Sequence, residues 1–347
     1  MLDNAPRNAW YPLTWSRDVG RTLARHKVLG LDLVVYRTER GEPVALDDLC
    51  PHRLAPLSCG KLKGDAVECG YHGMTFGPDG TCVRIPGQAT VPASARVRAY
   101  PLREQMGLVW IWPGDPARAD TVPVYDLPQF HSPQWHAVEG EALHIGTSYL
   151  NLADNLCDPA HVSFVHLSTL GNAASEDIPV QHEVTDTGVV VWRWIRDAPP
   201  IPLFAKYGGF TGHVDRWHYY HYDAPCIAVI DFGSADVAAA LDPAERDRGL
   251  RIFACHFITP VDAHHCIDHW LHVRNFALSD ADVDRRLHDD FRVAFNEDKE
   301  ILEEIDRVER TRPDARRIGL AIDAAPKKMR RSVQRMIDAE RAPLAAE

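Results

Sequence analysis

Side chains able to hold a transition metal are concentrated in two parts of this sequence. Cys50-Pro51-His52 and Cys69-Gly70-Tyr71-His72 each supply one thiolate and one imidazole, with 16 residues between His52 and Cys69. Thiolate and imidazole are soft and borderline ligands, and two of each admit two metal readings. One is a tetrahedral zinc; the other is a [2Fe–2S] cluster in which two thiolates hold one iron and two imidazoles the other. Zinc fingers usually group the cysteines together and the histidines together. Here each segment gives one of each, as a cluster with one Cys₂ iron and one His₂ iron demands. Four unrelated buried side chains form the bland alternative, which two matched C-x₁₋₂-H segments argue against.

The second concentration is Asp158, His161 and His166, spaced D-x-x-H-x₄-H. A three-residue step keeps Asp158 and His161 on neighbouring positions of a helical face, but five residues carry the chain about 140° around an ideal helix. Both imidazoles can therefore face one metal only if a bend, a π-bulge or a helix end lies between them. Pro159 suits the first position of a helical segment with Asp158 as its cap. Two histidines and a carboxylate with open positions is the non-haem Fe(II) arrangement, so a carboxylate is still required. In the segment from Val283 to Val308 an apolar stripe runs through Val283, Leu287, Phe291, Ala294 and Phe295 to Leu302 and Ile305. Asp298 stands in that stripe where an apolar residue is expected, while Glu297 and Glu300 fall on the polar face. A carboxylate aimed at a core must be paired or bound to metal, which makes Asp298 the third ligand; a buried ion pair is the alternative.

These residues need two scaffolds. Residues up to Pro113 read as strands (Val28 to Tyr36, Pro43 to Leu46, Gly107 to Trp112) punctuated by Gly41, Gly64, Gly77, Gly80 and Gly87, the pattern of a small β domain. Pro113-Gly-Asp-Pro116, followed by Pro123, Pro128 and Pro133, makes a turn-rich connection. The expected domains are 1–115, carrying the Cys/His pairs, and 116–347, carrying the mononuclear site. In the latter, strand-like runs at Val189 to Ile195, Trp217 to Tyr222, Ile227 to Phe232, Arg251 to Thr259 and His269 to Phe276 alternate with helical stretches, giving an α+β domain on an antiparallel sheet. A basic amphipathic helix closes the chain, with Met329, Val333 and Met336 on one face and Lys327, Lys328, Arg330, Arg331 and Arg335 around it. It either presents a solvated face or docks an acidic partner.

Composition is consistent with this reading. The 347 residues carry a formal net charge of −11, with 18 His and 8 Cys. That charge disfavours nucleic acid and anionic membranes as partners, and no apolar run approaches a membrane span. The N-terminus lacks the basic region and apolar run of a secretory signal. A cytoplasmic location is expected, where cysteines stay reduced and serve metal binding or packing.

Cys50-Pro-His52-Arg and Cys69-Gly-Tyr-His72-Gly resemble the Rieske signature, and the Asp158/His161/His166 segment is similar to the iron site of Rieske non-haem iron oxygenases. The resemblance spans both domains in order. It extends to the vanillate O-demethylase and dicamba monooxygenase branch through Asn8-Ala-Trp-Tyr11, Ile111-Trp-Pro-Gly-Asp-Pro116, Val214-Asp-Arg-Trp217, Asn296-Glu-Asp-Lys299 and Met336-Ile-Asp-Ala-Glu-Arg341. The resemblance implies an N-terminal all-β [2Fe–2S] domain and a helix-grip-like catalytic domain. It also implies one cluster and one mononuclear Fe(II) per subunit, O₂ as co-substrate, and NAD(P)H electrons delivered by a flavin/[2Fe–2S] reductase or a ferredoxin. A homotrimer is implied as well, in which Asp158 bridges His72 of a neighbouring subunit to His161, and Asn155 lies near the iron. Pro159 departs from the family, where Leu or Phe commonly follows the bridging Asp.

The implied reaction is oxidative O-demethylation of a small methoxylated aromatic acid, releasing formaldehyde. Hydroxylation of a methyl or ring carbon and N-demethylation are alternatives for the same iron, and a Rieske electron carrier without oxygen chemistry is a different class. For substrate contacts, His256 matches a family strand position that can bind an aromatic carboxylate, and alternation places His218, Tyr220 and Tyr222 on one face of a strand. A satisfied core histidine is the plain alternative for His256. Cys157 and Cys226 either line the pocket or pack as small hydrophobes.

Overall fold

A computed structural model describes residues 2–342, and the chain divides into two units at Asp126/Leu127, with Thr259–Asp262 grouping with the first. The first unit contains ten strands: β1 (Tyr11–Trp15), β2 (Ala24–Val28), β3 (Leu31–Arg37), β4 (Pro43–Asp47), β5 (Lys61–Lys63), β6 (Ala66–Glu68), β7 (Thr75–Phe76), β8 (Cys82–Arg84), β9 (Leu102–Gln105) and β10 (Leu108–Ile111). They form three antiparallel sheets, ordered β1-β10-β9, β2-β3-β4 and β5-β6-β7-β8.

The apolar run Val28 to Tyr36, read as one strand, is in fact the corner of a hairpin. Val28 pairs with Leu31, and Leu29 and Gly30 between them take φ values of +53° and +76°. Positive φ at both central residues is the two-residue turn that matches strand twist. Val34, Tyr36, Leu46, Leu57, Val67 and Phe76 form a core in which Cys50 and Cys69 are also buried.

The boundary differs from the one expected after residue 115. Asp115 caps a 3-10 segment over Pro116–Thr121 by accepting from Ala117 N–H, and Trp10 Nε1 donates to the Val122 carbonyl at 2.9 Å. These bonds hold the proline-rich segment to the first unit, so the division falls at Asp126/Leu127.

The second unit contains α1 (Pro128–His131), β11 (His136–Ile145), α2 (Tyr149–Asn155), α3 (Val162–Val165), β12 (Gln181–Val184), β13 (Gly188–Ala198), α4 (Pro202–Tyr207), β14 (Val214–Asp223), β15 (Ile227–Asp236), β16 (Leu250–Pro260), β17 (Cys266–Arg274), α5 (Ala281–Thr311) and α6 (Ala324–Arg341). The strands make one seven-stranded sheet, ordered β11-β17-β16-β15-β14-β13-β12. β14 and β15 pair without a register break from Val214↔Asp236 to Asp223↔Ile227, so alternate residues keep to one face along their whole length.

α5 begins where Asp280 accepts from the N–H groups of Asp282 and Val283, and it buries Val283, Leu287, Phe291, Ala294, Phe295, Asp298 and Leu302. The predicted stripe fails at its end. Ile305 is 41% exposed and Asp306 is buried instead, because the helical repeat continues from Leu302 by four residues rather than three. Asp306 is paired there with His264 and Arg310.

α6 buries Ala325, Met329, Val333 and Ile337. Its Arg330 is not a free basic group: it reaches the Asp154 carboxylate at 2.7 Å and Asn151 at 3.1 Å, tying α6 to α2. Among the described residues no helix is long and apolar enough to cross a membrane.

Candidate metal centres and ligand pocket

The two Cys/His segments are tight turns with the same hydrogen-bonding plan. Cys50 N–H donates to the Ala55 carbonyl and Leu54 N–H to the Cys50 carbonyl, both at 2.9 Å. Cys69 N–H donates to the Met74 carbonyl at 2.7 Å and Gly73 N–H to the Cys69 carbonyl at 3.0 Å. Each turn closes with a positive φ, at Leu54 (+58°) and Gly73 (+72°); glycine adopts that conformation freely, whereas leucine does so at a cost.

The result is two buried thiols and two exposed imidazoles, the rings of His52 and His72 lying 4.6 Å apart. A single tetrahedral zinc would draw all four ligand atoms within about 4 Å of one another. Among the described residues, the one group of three or more such side chains whose ligand atoms lie within 4.8 Å of one another is His161, His166 and Asp298. The Cys50/His52/Cys69/His72 set is therefore too open for one ion. It fits two metals, a thiolate-held one inward and an imidazole-held one at the surface.

In the second unit, α2 ends at Asn155 and the chain turns through residues 156–161 before the single turn of α3. The helix anticipated from Pro159, with Asp158 as its cap, does not form. Asp158 Oδ1 accepts from Ala160 N–H at 2.8 Å within a turn, and the helix starts at Val162. His161 and His166 occupy the two ends of α3, and His166 leaves helical geometry at φ −104°, ψ +39°. That supplies the helix end required between them, and their Nε2 atoms come within 3.3 Å.

Asp298 on α5 meets both, with Oδ1 3.4 Å from His161 Nε2 and Oδ2 3.2 Å from His166 Nε2. Asn155 Nδ2 donates to Asp298 Oδ1 at 2.9 Å, which orients the carboxylate. Burial alone would raise the Asp298 carboxyl; the hydrogen bond from His166, the two imidazoles and Asn155 outweigh it and hold the group below its ordinary value. Burial holds His161 down. An ionised carboxylate beside an imidazole kept neutral is the donor set a divalent iron takes.

The outer nitrogens of both rings are engaged. His161 Nδ1 donates to the main-chain carbonyl of Asp158, and His166 Nδ1 donates to Glu297 Oε2 at 2.8 Å. Within the chain, Asp158 thus reaches His161 through its carbonyl rather than its carboxylate. Glu297, expected on the polar face, instead meets His166: it neighbours Asp298 on α5, and its longer side chain reaches around to the ring. Adjacency to a suspected ligand was the one available signal.

A pocket opens over the triad. Asn155, Leu156, Val162, Leu170, His218, Tyr220, Ile230, Phe232, Ala254, His256, Phe291 and Phe295 line it together with His161, His166 and Asp298. The three candidate contacts His218, Tyr220 and His256 all lie on its wall. His256 Nδ1 pairs with Asp268 Oδ2 at 2.7 Å, both side chains 2% exposed, a partner not foreseen for it. Burial, with Arg193, Arg216 and His161 nearby, keeps His218 well below its ordinary range. Burial raises Tyr220. Cys157 and Cys226 are buried outside the lining, as packing residues.

An all-β domain with two Cys/His turns, followed by a sheet-and-helix domain that brings two histidines and one carboxylate to one point, defines a two-centre oxygenase of the Rieske type. The chain belongs to the Rieske non-haem iron oxygenases: residues 9–101 match the Rieske [2Fe-2S] domain, and residues 145–339 match the vanillate O-demethylase oxygenase C-terminal domain. Its cofactors are accordingly a Rieske [2Fe–2S] cluster and a mononuclear non-haem iron. It is 33% identical to the toluene-4-sulfonate monooxygenase system iron-sulfur subunit of Comamonas testosteroni, covering 96% of this chain and 97% of that one. It is 33% identical to the vanillate O-demethylase oxygenase subunit of a Pseudomonas species, covering 89% and 95%. Among solved structures it resembles dicamba monooxygenase bound to dicamba, at 30% identity, with a TM-score of 0.86 and coverage of 97% and 99%. The protein is an oxygenase component of the O-demethylase and monooxygenase family.

Proposed function

We propose that this chain is the terminal oxygenase of a multicomponent system that oxidatively O-demethylates a methoxylated, vanillate-like aromatic acid. Cys50 and Cys69 hold one cluster iron, His52 and His72 the other, and His161, His166 and Asp298 hold the mononuclear iron. The observation that carries the reading is the pocket over the triad, whose wall is mainly aliphatic and aromatic with His218, Tyr220 and His256 as polar contacts. Such a wall suits a flat ring with few polar substituents.

Iron held by His161, His166 and Asp298, given two electrons by way of the cluster, would supply the activation of O₂ needed to insert one oxygen atom into a substrate C–H bond. Insertion at the methoxy carbon gives a hemiacetal, and the second oxygen atom leaves as water with two electrons and two protons. The hemiacetal then releases formaldehyde and leaves the phenol. Asn155 holds the Asp298 carboxylate, Glu297 holds the His166 ring, and Phe291 and Phe295 exclude water from the ring-binding space. A flavin/[2Fe–2S] reductase or ferredoxin supplies the electrons. The reading includes a cytoplasmic homotrimer in which the Asp158 carboxylate links His161 to His72 of the next subunit.

Methyl hydroxylation is the second reading, favoured by the full-length similarity to a toluene-4-sulfonate oxygenase component. Turnover with a surrogate reductase against a panel of methoxybenzoates and methylated aromatics separates the two. Formaldehyde is expected from the methoxylated acids. Its absence throughout, beside hydroxymethyl or ring-hydroxylated products, would overturn demethylation.

A further inference from the structure

Two buried arginines stand beside the pocket with no carboxylate among the described residues bonded to either. Arg193 is 2% and Arg216 1% exposed. Arg193 spends Nη1 and Nη2 on the carbonyls of Ser175 and Pro159, both at 2.7 Å, which fastens the loop carrying the metal histidines to β13. Arg216 makes one hydrogen bond, from Nη2 to Asn172 Oδ1 at 3.0 Å. Its Nε and Nη1 are buried with no partner among the described residues, and so are Nδ1 of His218 and Oγ of Ser234.

These orphans share one place. Arg216 and Ser234 are cross-strand partners, and His218 sits opposite Phe232 and Arg193. Tyr220 and His218 line the pocket, so Arg216, two residues further along β14, presents its side chain on the same face about 7 Å on. The facing loop tells the same story: Leu170 lines the pocket, and Asn172 two residues later receives Arg216. Burial and the neighbouring Arg193 bring the Arg216 guanidinium down to about 10, so it stays charged at neutral pH. Buried charges are paired or bound to a counter-ion, and a guanidinium offers carboxylates and related oxyanions a planar set of donors.

We propose that Arg216, flanked by His218 and Ser234, is the anion subsite of the ligand pocket and takes the oxyanion head, carboxylate or sulfonate, of an aromatic substrate. The inference rests on the pocket over the triad being the substrate pocket. It makes Arg216 the residue that selects acids over uncharged analogues, with His256 a pocket contact whose Nδ1 is already engaged by Asp268.

The test is equilibrium binding to the anaerobic, metal-loaded protein of 4-methoxybenzoate, 4-methoxybenzenesulfonate and uncharged 4-methoxybenzamide, followed by product analysis of each. The wild type is expected to bind at least one anion about 30-fold or more tightly than the amide. Arg216→Met should remove that preference while amide binding stays within about threefold, the pattern of truncating one partner of a buried charge pair. Arg216→Lys, which keeps the charge, should lie between them and covers the case in which Arg216→Met does not fold. His256→Gln should keep the preference. Whichever anion depends on Arg216 identifies the head group. The proposal is overturned if the wild type shows no preference, if Arg216→Met retains it, or if His256→Gln alone abolishes it. Formaldehyde from the amide without an anion preference would sink the subsite and spare demethylation; an Arg216-dependent preference with hydroxylated products would do the reverse.

Discussion

Glu297 Oε2 lies 2.8 Å from Nδ1 of His166, on the side of the ring opposite the Nε2 that faces Asp298. A carboxylate behind a metal-binding imidazole fixes its tautomer and orientation, and losing one typically costs 10- to 100-fold in metal affinity. Glu297→Gln should therefore lower iron affinity by about tenfold or more, read as mononuclear iron retained after dialysis against a graded chelator series. Retention equal to wild type would show that the contact does not position the ligand.

Asp298→Ala removes the one carboxylate shared by His161 and His166. The two cluster irons, held in the other unit, should remain with their visible absorption and reduced-state EPR, while the third iron and all substrate oxidation are lost. Full turnover by this variant would exclude the triad as the oxygen-activating site.

A protonation effect is built into β17. Burial, with Arg274 beside it, pulls His272 down from 6.5 to about 3. The unfolded chain takes up this proton near 6.5 and the folded chain does not, so the stabilisation is complete above 6.5 and is lost as pH falls toward 3. The loss is about 1.4 kcal/mol per pH unit. His272→Gln should flatten the dependence of unfolding free energy on pH by one proton between about pH 6 and pH 4. An unchanged slope would mean that another group carries it.

The sheet also shapes the pocket through a glycine. A Cβ on Gly140, next to the register break between Glu139 and Ala142 in β11, would come within 2.3 Å of the Trp270 ring. That ring packs on Phe295 with centroids 5.2 Å apart. Gly140→Ala should destabilise the protein by about 1–3 kcal/mol in denaturant titration and weaken binding of ring substrates, whereas an exposed change such as Gly212→Ala should do neither.

The sequence was most legible where one residue contradicted its surroundings. Asp298 broke an apolar stripe, and the paired Cys/His turns lay close enough in the chain for their spacing to carry meaning. The angle between His161 and His166 required a helix end, and α3 ends at His166. What stayed hidden depends on strands that meet across long separations. Asp268 beside His256, Ser234 opposite Arg216, and Asn172 across from Arg216 are partners set by sheet register and loop packing, which no local pattern encodes. Glu297 falls on the polar face of the helical wheel, which places Cα positions and ignores the reach of a long side chain. Asp158 looked like a helix cap, but the neighbouring turn reached Ala160 first and left the helix to start at Val162.

The most direct test is a single turnover without a reductase. The protein is loaded with both metals, fully reduced, freed of reductant, and mixed with O₂ and 4-methoxybenzoate. The account predicts formaldehyde and 4-hydroxybenzoate in equal amounts, with the Asp298→Ala protein giving neither. Consumption of O₂ without formaldehyde, or a hydroxylated product that keeps its methoxy group, would contradict it.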